Sequence, residues 1–308
     1  MPGLIIHNPD SGRNGSPTLE ELAAATGAKK SMLFSELGEP KDAVRIAKEE
    51  GCEWIAVSGG DGSVEAIASH LIDSDMPLGV IPTGTFNNFA KSLDLPLEVE
   101  EACKIIRAGK VKRIDVGYAN GKPFFECVGA GLDAELFPAS EEVKSGNLLT
   151  FIELLKRANR FKPSKIRLIL DRPAKDAVGT CSSNPSHHLI RHIAKIESPA
   201  IALTALLVTA SNGPYYGMNF AVAPEERMDD GMMTVTVFSR YSKIQLWWHF
   251  LSIAFGRKAY SPKSISFRVA KVTIDGASPL PSHTDGTPFS GWPLNIECRP
   301  GALPVFVR

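Results

Sequence analysis

The order of apolar and polar residues predicts an α/β domain followed by an antiparallel β domain. Three observations carry that expectation. The first 118 residues alternate short, wholly apolar runs with helical patterns, as in a parallel sheet covered on both faces. After Lys110 the pattern becomes period-two, with few helices between the runs. Two glycine-containing polar loops follow consecutive apolar runs, which suits a doubly wound nucleotide-binding sheet.

In chain order, Leu4 to Asn8 is the first strand, ended by Pro9-Asp10-Ser11-Gly12. Ser16-Pro17 offers an N-cap and a first-turn proline for a helix carrying Leu19, Leu22 and Ala23. Met32 to Phe34 is a second short strand, and Asp42 to Glu50 a helix with Ala43, Ile46 and Ala47 on one face. Trp54 to Val57 is a third strand, Val64 to Ile72 a helix, and Leu78 to Ile81 a fourth strand. Lys112 to Tyr118 and Pro123 to Val128 alternate on either side of Asn120-Gly121, a strong hairpin turn. Ile166 to Leu170, Ile201 to Ala210, Met232 to Phe238, Ile265 to Ile274 and Leu294 to Cys298 read as further strands. Helical insertions are expected near Leu148–Ala158 and Ile244–Phe255, and a mobile loop over Arg172 to Ser186. The expected domains are 1–118 and 119–308, with the last strands, about 294–308, able to pack back on the first domain.

Composition excludes some functions. Lys plus Arg and Asp plus Glu are 34 each, so no global field draws in nucleic acid. The longest apolar stretches, Ala200–Ala210 and Ile244–Phe255, fall short of the roughly 20 residues of a membrane span. No basic leader precedes Leu4-Ile5-Ile6, and the 5 cysteines are scattered without CxxC spacing, so a cytoplasmic protein with reduced thiols is expected.

Ser58-Gly59-Gly60-Asp61-Gly62-Ser63 lies between an apolar strand and a helix. Glycines admit a ligand close to the backbone, and a helix N-terminus offers unpaired N–H groups to phosphate. Asp61 repels phosphate, but suits a divalent cation that bridges phosphates. The same residues equally suit a plain strand-to-helix turn with Asp61 as cap. Pro82-Thr83-Gly84-Thr85-Phe86-Asn87-Asn88-Phe89-Ala90 follows the next strand. Two such loops on one sheet edge favour a nucleotide site.

These segments, with Asn8-Pro9-Asp10-Ser11-Gly12, resemble the catalytic domain of diacylglycerol kinases, particularly soluble bacterial lipid kinases related to sphingosine and ceramide kinases. The resemblance continues through Arg113 to Gly117, Gly129 to Asp133, Asn212 to Gly217, Ala223-Pro224, Asp229-Asp230-Gly231 and Thr284-Asp285-Gly286. It implies an NAD-kinase-like α/β domain, a β-sandwich domain, and an active site in the cleft between them. It also implies ATP- and Mg²⁺-dependent phosphorylation of a lipid hydroxyl at a membrane surface. By that resemblance Asn8, Gly12, Ser35, Gly59, Gly60, Asp61, Gly62, Ser63, Thr83, Gly84, Thr85 and Asn87 contact the nucleotide, with Asp61 on the Mg²⁺ side. Asp285 falls on the general base for the lipid hydroxyl, and Asp115 on an acidic position tied to the metal network. Asp230, with backbone oxygens near Arg227 and Met232, falls on a structural Mg²⁺ site. Many members carry Asp where this chain has Asn88 and Glu where it has Thr287.

Ser242 to Phe255, with Trp247, Trp248 and flanking cations, suits either a helix packed on the second domain or an interfacial membrane anchor. His187, His188 and His192 lack a fourth ligand and read as a solvated cluster. Kinases of soluble acceptors that share the GGDG loop, or a weakly catalytic binding protein, are the alternatives. The Pro-Thr-Gly-Thr-Phe-Asn-Asn segment counts against an NAD kinase or a phosphofructokinase.

Overall fold

Strands that are apolar throughout need cover on both faces, and the computed structural model shows how the first half of the chain provides it. The structure describes residues 1–11, 17–132, 134, 156, 160–179, 186–217, 220–221, 223–239 and 264–308. Strands β1 (Gly3–His7), β2 (Lys30–Leu33), β3 (Trp54–Gly59) and β4 (Leu78–Pro82) pair in parallel in the spatial order β2-β1-β3-β4. Between and after them run α1 (Leu19–Thr26), α2 (Asp42–Glu49), α3 (Asp61–Ala68), α4 (Asn88–Ser92) and α5 (Val99–Ala108). Leu22 of α1 and Cys103 and Ile106 of α5 pack on Ile5, Trp54, Ala56 and Ile81. Ala43 and Ala47 of α2, with Val64 and Ile67 of α3, cover Leu4, Ile6, Ile55 and Val57 on the other face.

The start of α1 differs from the sequence expectation. Thr18, not Ser16, is the N-cap: its hydroxyl accepts from the Glu21 N–H at 3.2 Å, and its own N–H donates to Glu21 Oε2 at 2.9 Å. Two backbone donors are satisfied reciprocally, by a cap directly before the first helical residue, Leu19.

The second half forms β5 (Val111–Ala119), β6 (Lys122–Phe124), β7 (Cys127–Gly131), β8 (Ser164–Leu170), α6 (Ala174–Ala177), β9 (Val178–Gly179), α7 (His187–Ile193), β10 (Ala200–Ala205) and β11 (Leu207–Ser211). There follow β12 (Tyr215–Tyr216), β13 (Phe220–Ala221), β14 (Met233–Phe238), β15 (Ser264–Val269), β16 (Lys271–Gly276), β17 (Ser282–Thr284), β18 (Thr287–Phe289) and β19 (Leu294–Phe306). An antiparallel sheet in the order β18-β17-β7-β11-β14-β15-β9 packs against β10-β8-β16-β19 as a sandwich. The latter strands continue the parallel sheet of the first half. β19 runs antiparallel to β5, and its Val305 pairs in parallel with Leu78 of β4.

Three stretches that read as single strands are each divided between the two sheets. Pro123–Val128 breaks at Phe125-Glu126, Ile201–Ala210 at Leu206, and Ile265–Ile274 at Ala270. Both halves of each stretch keep their apolar side chains in the one core, so apolar residues recur on both sides of the corner. At two of the three corners parity slips: Ile201 and Ala205 give way to Val208 and Ala210, and Ile265, Phe267 and Val269 to Val272 and Ile274. Apart from Lys156, the two helical insertions, Leu148–Ala158 and Ile244–Phe255, lie outside the described residues. Among the described residues no helix is long and apolar enough to cross a membrane.

Candidate active site

Parallel pairing sends the loops after β1, β3 and β4 out of one sheet edge, and the strand order reverses between β1 and β3. Ligands of doubly wound sheets bind at that reversal. Asn8, after β1, donates its N–H to the Ser58 carbonyl at 2.8 Å and its Nδ2 to Ser63 Oγ at 2.8 Å. This ties the first loop to the start of α3. The third loop lies against the second, where a Cβ on Gly84 would stand 2.4 Å from Gly60 Cα. Glycine at 84 is therefore a packing requirement, independent of any ligand, whereas a Cβ on Gly60 would stand 3.4 Å from Gly84 Cα.

Asn87, at φ 53°, bonds both backbone groups of Gly84, accepting from its N–H and donating to its carbonyl at 2.9 Å each. Its side chain shapes the loop. Asp61 opens α3, and its Oδ1 accepts the Phe89 N–H at 3.0 Å. A Cβ on Gly62 would meet nothing within 4 Å, so the first turn of α3 faces open space. Thr83 Oγ1 is buried without a hydrogen-bond partner, and Thr85 is exposed. An unsatisfied hydroxyl beside an open helix N-terminus suits phosphate oxygens. Ser35 lies on a 3-10 turn after β2, the outer strand, and Gly12 lies outside the described residues.

The second half contributes a carboxylate from a tight turn. Asp285 at φ 45° and Gly286 at φ 77° join β17 to β18. Asp285 Oδ1 accepts from the N–H groups of Glu126 and Cys127 at 3.0 and 2.9 Å, and Oδ2 from that of Phe125 at 2.7 Å. With two donors on Oδ1 and one on Oδ2, the remaining lone pair of Oδ2 is the open acceptor position. Burial raises this carboxyl to about 6, against the pull of the three amides and of nearby His283. The ordinary acidity a turn aspartate would have is thus displaced towards neutrality.

Two acids that the sequence reading did not single out stand close by. Glu126 is buried, and desolvation, followed by the charges of Asp285 and Asp61, pushes it well above the usual carboxylate range. Glu65, on α3, is raised by desolvation and then by Asp285, Glu126 and Asp61. These couplings bring α3 of the first half and the Asp285 turn of the second into one electrostatic site. The available signal was an acid inside the apolar run Phe124-Phe125-Glu126-Cys127-Val128, since buried acids are rare without a purpose.

The remaining acids form a second cluster. Buried Asp115 accepts the Gly231 N–H at 2.6 Å and the Gly301 N–H at 2.8 Å, joining the 223–232 segment to β19. Asp230 accepts from the Met232 N–H at 3.1 Å and pairs with Arg268. Asp229 is held down to about 2 by Arg227 and Lys112. Arg227, Asp230 and Met232 stand together here with Asp115, while Asp61 lies apart at the start of α3. Among the described residues no group of three His, Cys, Asp or Glu converges to hold a metal. His187, His188 and His192 are exposed on α7.

Residues 2–119 match the family model of the diacylglycerol kinase catalytic domain, and residues 126–307 that of the YegS C-terminal NAD kinase beta sandwich-like domain. A diacylglycerol kinase of Bacillus subtilis is 24% identical over 77% of this chain and 73% of its own length. A Pseudomonas aeruginosa protein named "Probable lipid kinase YegS-like" is 25% identical over 98% of this chain and 92% of its own. A crystal structure of a diacylglycerol kinase from Bacillus anthracis superposes with a TM-score of 0.68 at 19% identity, covering 100% of this chain and 97% of the other.

Proposed function

Because the chain belongs to the diacylglycerol kinase family, with that catalytic domain followed by the YegS-type sandwich domain, we propose that it transfers the γ-phosphoryl group of ATP to a hydroxyl of a lipid. The observation that carries this reading is Asp285, a carboxylate with one open acceptor position, electrostatically coupled to the α3 turn that faces the phosphate loops. Phosphoryl transfer asks for positioning, neutralisation of charge and a proton acceptor. The amides at the start of α3 and the Thr83 hydroxyl bind the phosphates, and the Gly60–Gly84 contact sets the width of their cradle. Asp285 Oδ2 takes the acceptor's proton as the new O–P bond forms and the bond to the ADP oxygen breaks. Mg²⁺, held from Asp61, would neutralise charge on the phosphate oxygens. Asp61 suits it because one carboxylate oxygen is fixed by the Phe89 N–H while the other accepts no hydrogen bond among the described residues. The acceptor is a lipid with a free hydroxyl, of the diacylglycerol, phosphatidylglycerol, sphingoid or ceramide type, met by peripheral contact with a membrane from the cytoplasm.

Transfer of label from ATP into mixed lipid vesicles, with Mg²⁺, tests the reading. A labelled lipid is expected, and a label confined to soluble acceptors would redirect it to a different kinase. Asp61→Ala should lower turnover and weaken its Mg²⁺ dependence; an unchanged Mg²⁺ titration removes Asp61 from the metal. With Asp285 raised to about 6, kcat/KM should climb about tenfold per pH unit below that value and level off above it. A profile flat from pH 4.5 to 8 would exclude Asp285 as the base.

A further inference from the structure

Resting on the reading that Asp285 receives the hydroxyl proton, we propose that Glu126 is a positioning residue of the reaction centre. It holds Asp285 through its backbone amide, and its carboxylate supplies from the second domain the negative charge that Asn88 does not supply from the first.

Glu126 is joined on every side. Its N–H donates to Asp285 Oδ1 at 3.0 Å, and its carbonyl accepts from the N–H groups of Asn212 at 2.9 Å and Gly213 at 3.3 Å. Its Oε2 accepts the Gly217 N–H at 3.2 Å. The Asn88 amide, only 1% exposed, donates to the Gly217 carbonyl at 2.9 Å and also favours the Glu126 carboxylate by hydrogen bonding. Asn88 and Glu126 thus meet across the two domains, and one charge is present where two carboxylates would repel.

Structure alone would prefer an amide at 126. The ionisable groups that act on this carboxylate are Asp285 of the β17–β18 turn and Asp61 of α3; Glu65 of α3 is coupled to it as well. His283 of β17 acts on Asp285. Asn88 and Gly217 are neutral donors, and among the described residues no cation is one of the groups that stabilise it. Buried charge without a cation is costly. Glutamine would keep an acceptor for Gly217, remove the repulsion, and add a donor beside the Asn88 amide, whose Oδ1 is buried without a partner. A group that costs stability where its neutral isostere would not is retained for its charge. That charge opposes ionisation of Asp285 and so makes Asp285 a stronger base.

The signs of the test follow. A carboxyl raised in the fold stabilises it while protonated, at low pH, and this contribution is lost as pH rises from the unfolded value of about 4.3 through the folded one. Glu126→Gln should therefore raise the thermal midpoint at pH 8 by about 2–4 °C and leave it nearly unchanged at pH 4.5. At pH 8 it should lower kcat about 10–100-fold with KM for ATP little changed, and move the acid limb of the pH profile to lower pH. Asn88→Asp combined with Glu126→Gln, which returns the charge to position 88, should recover at least about tenfold of that loss. A lowered midpoint at pH 8, an unmoved acid limb, or a double variant no better than Glu126→Gln overturns the proposal. A wild type that phosphorylates no acceptor brings down the kinase reading and this inference together. An active wild type with an unaltered Glu126→Gln variant brings down this inference alone.

Discussion

Asp285→Asn is expected to lower kcat by about 10²–10⁴-fold while ATP affinity changes little. The size follows from what the carboxylate does. In the proposed reaction it is the acceptor for the hydroxyl proton, and an amide oxygen has almost no basicity. The substitution also disturbs the turn, because the native carboxylate accepts three backbone N–H groups, on both of its oxygens. An asparagine retains one oxygen and turns its Nδ2 towards a donor, leaving at least one amide of Phe125, Glu126 or Cys127 unpaired at a cost of about 1–3 kcal/mol. Calorimetric ATP binding separates the two effects. A variant that binds ATP as the wild type does and still fails to turn over has lost the base. Retained turnover would remove Asp285 from its role.

Gly84→Ala is expected to damage the site from the packing side. The new Cβ would lie 2.4 Å from Gly60 Cα and 3.2 Å from Gly60 N, both backbone atoms without a flexible end to swing away. The loops after β3 and β4 must separate, or the strands that carry them must shift. Overpacking of this kind costs about 1–3 kcal/mol. Because the Gly60 loop also carries Asp61 and the first turn of α3, ATP affinity should fall about tenfold or more, a displacement worth about 1.4 kcal/mol. Gly62→Ala is the matched control, since its Cβ meets nothing within 4 Å and its helical site accepts alanine. Equal thermal midpoints for the two variants would refute the close approach as the reason for glycine at 84.

The two glycine loops were legible because each carries its own local signature: apolar strand, glycines, helix start. Asp285 was legible only through the resemblance, since Asp-Gly by itself describes a turn, and it does form one. Glu126 was not picked out. Its importance comes from Asn88, Gly217 and Asp285, which lie 38, 91 and 159 positions away along the chain. Asn8 and Asn87 were expected at the ligand; the structure adds that their side chains bond Ser63 and Gly84 and so shape the loops.

By itself the sequence determined the order of the architecture, an α/β half and then a β half, and the sheet edge on which the two glycine loops open. Apolar periodicity is a local record of which face of an element is buried, and glycine a local record of close approach. Tertiary structure alone decided that Ile201–Ala210 and Ile265–Ile274 turn corners between sheets, and that Asp61, Glu65, Glu126 and Asp285 share one field. Both sides of a sandwich corner bury their side chains in the same core, so the pattern reads through it. An acid's proton affinity depends on which charges lie across the cleft, and no spacing along the chain carries that distance.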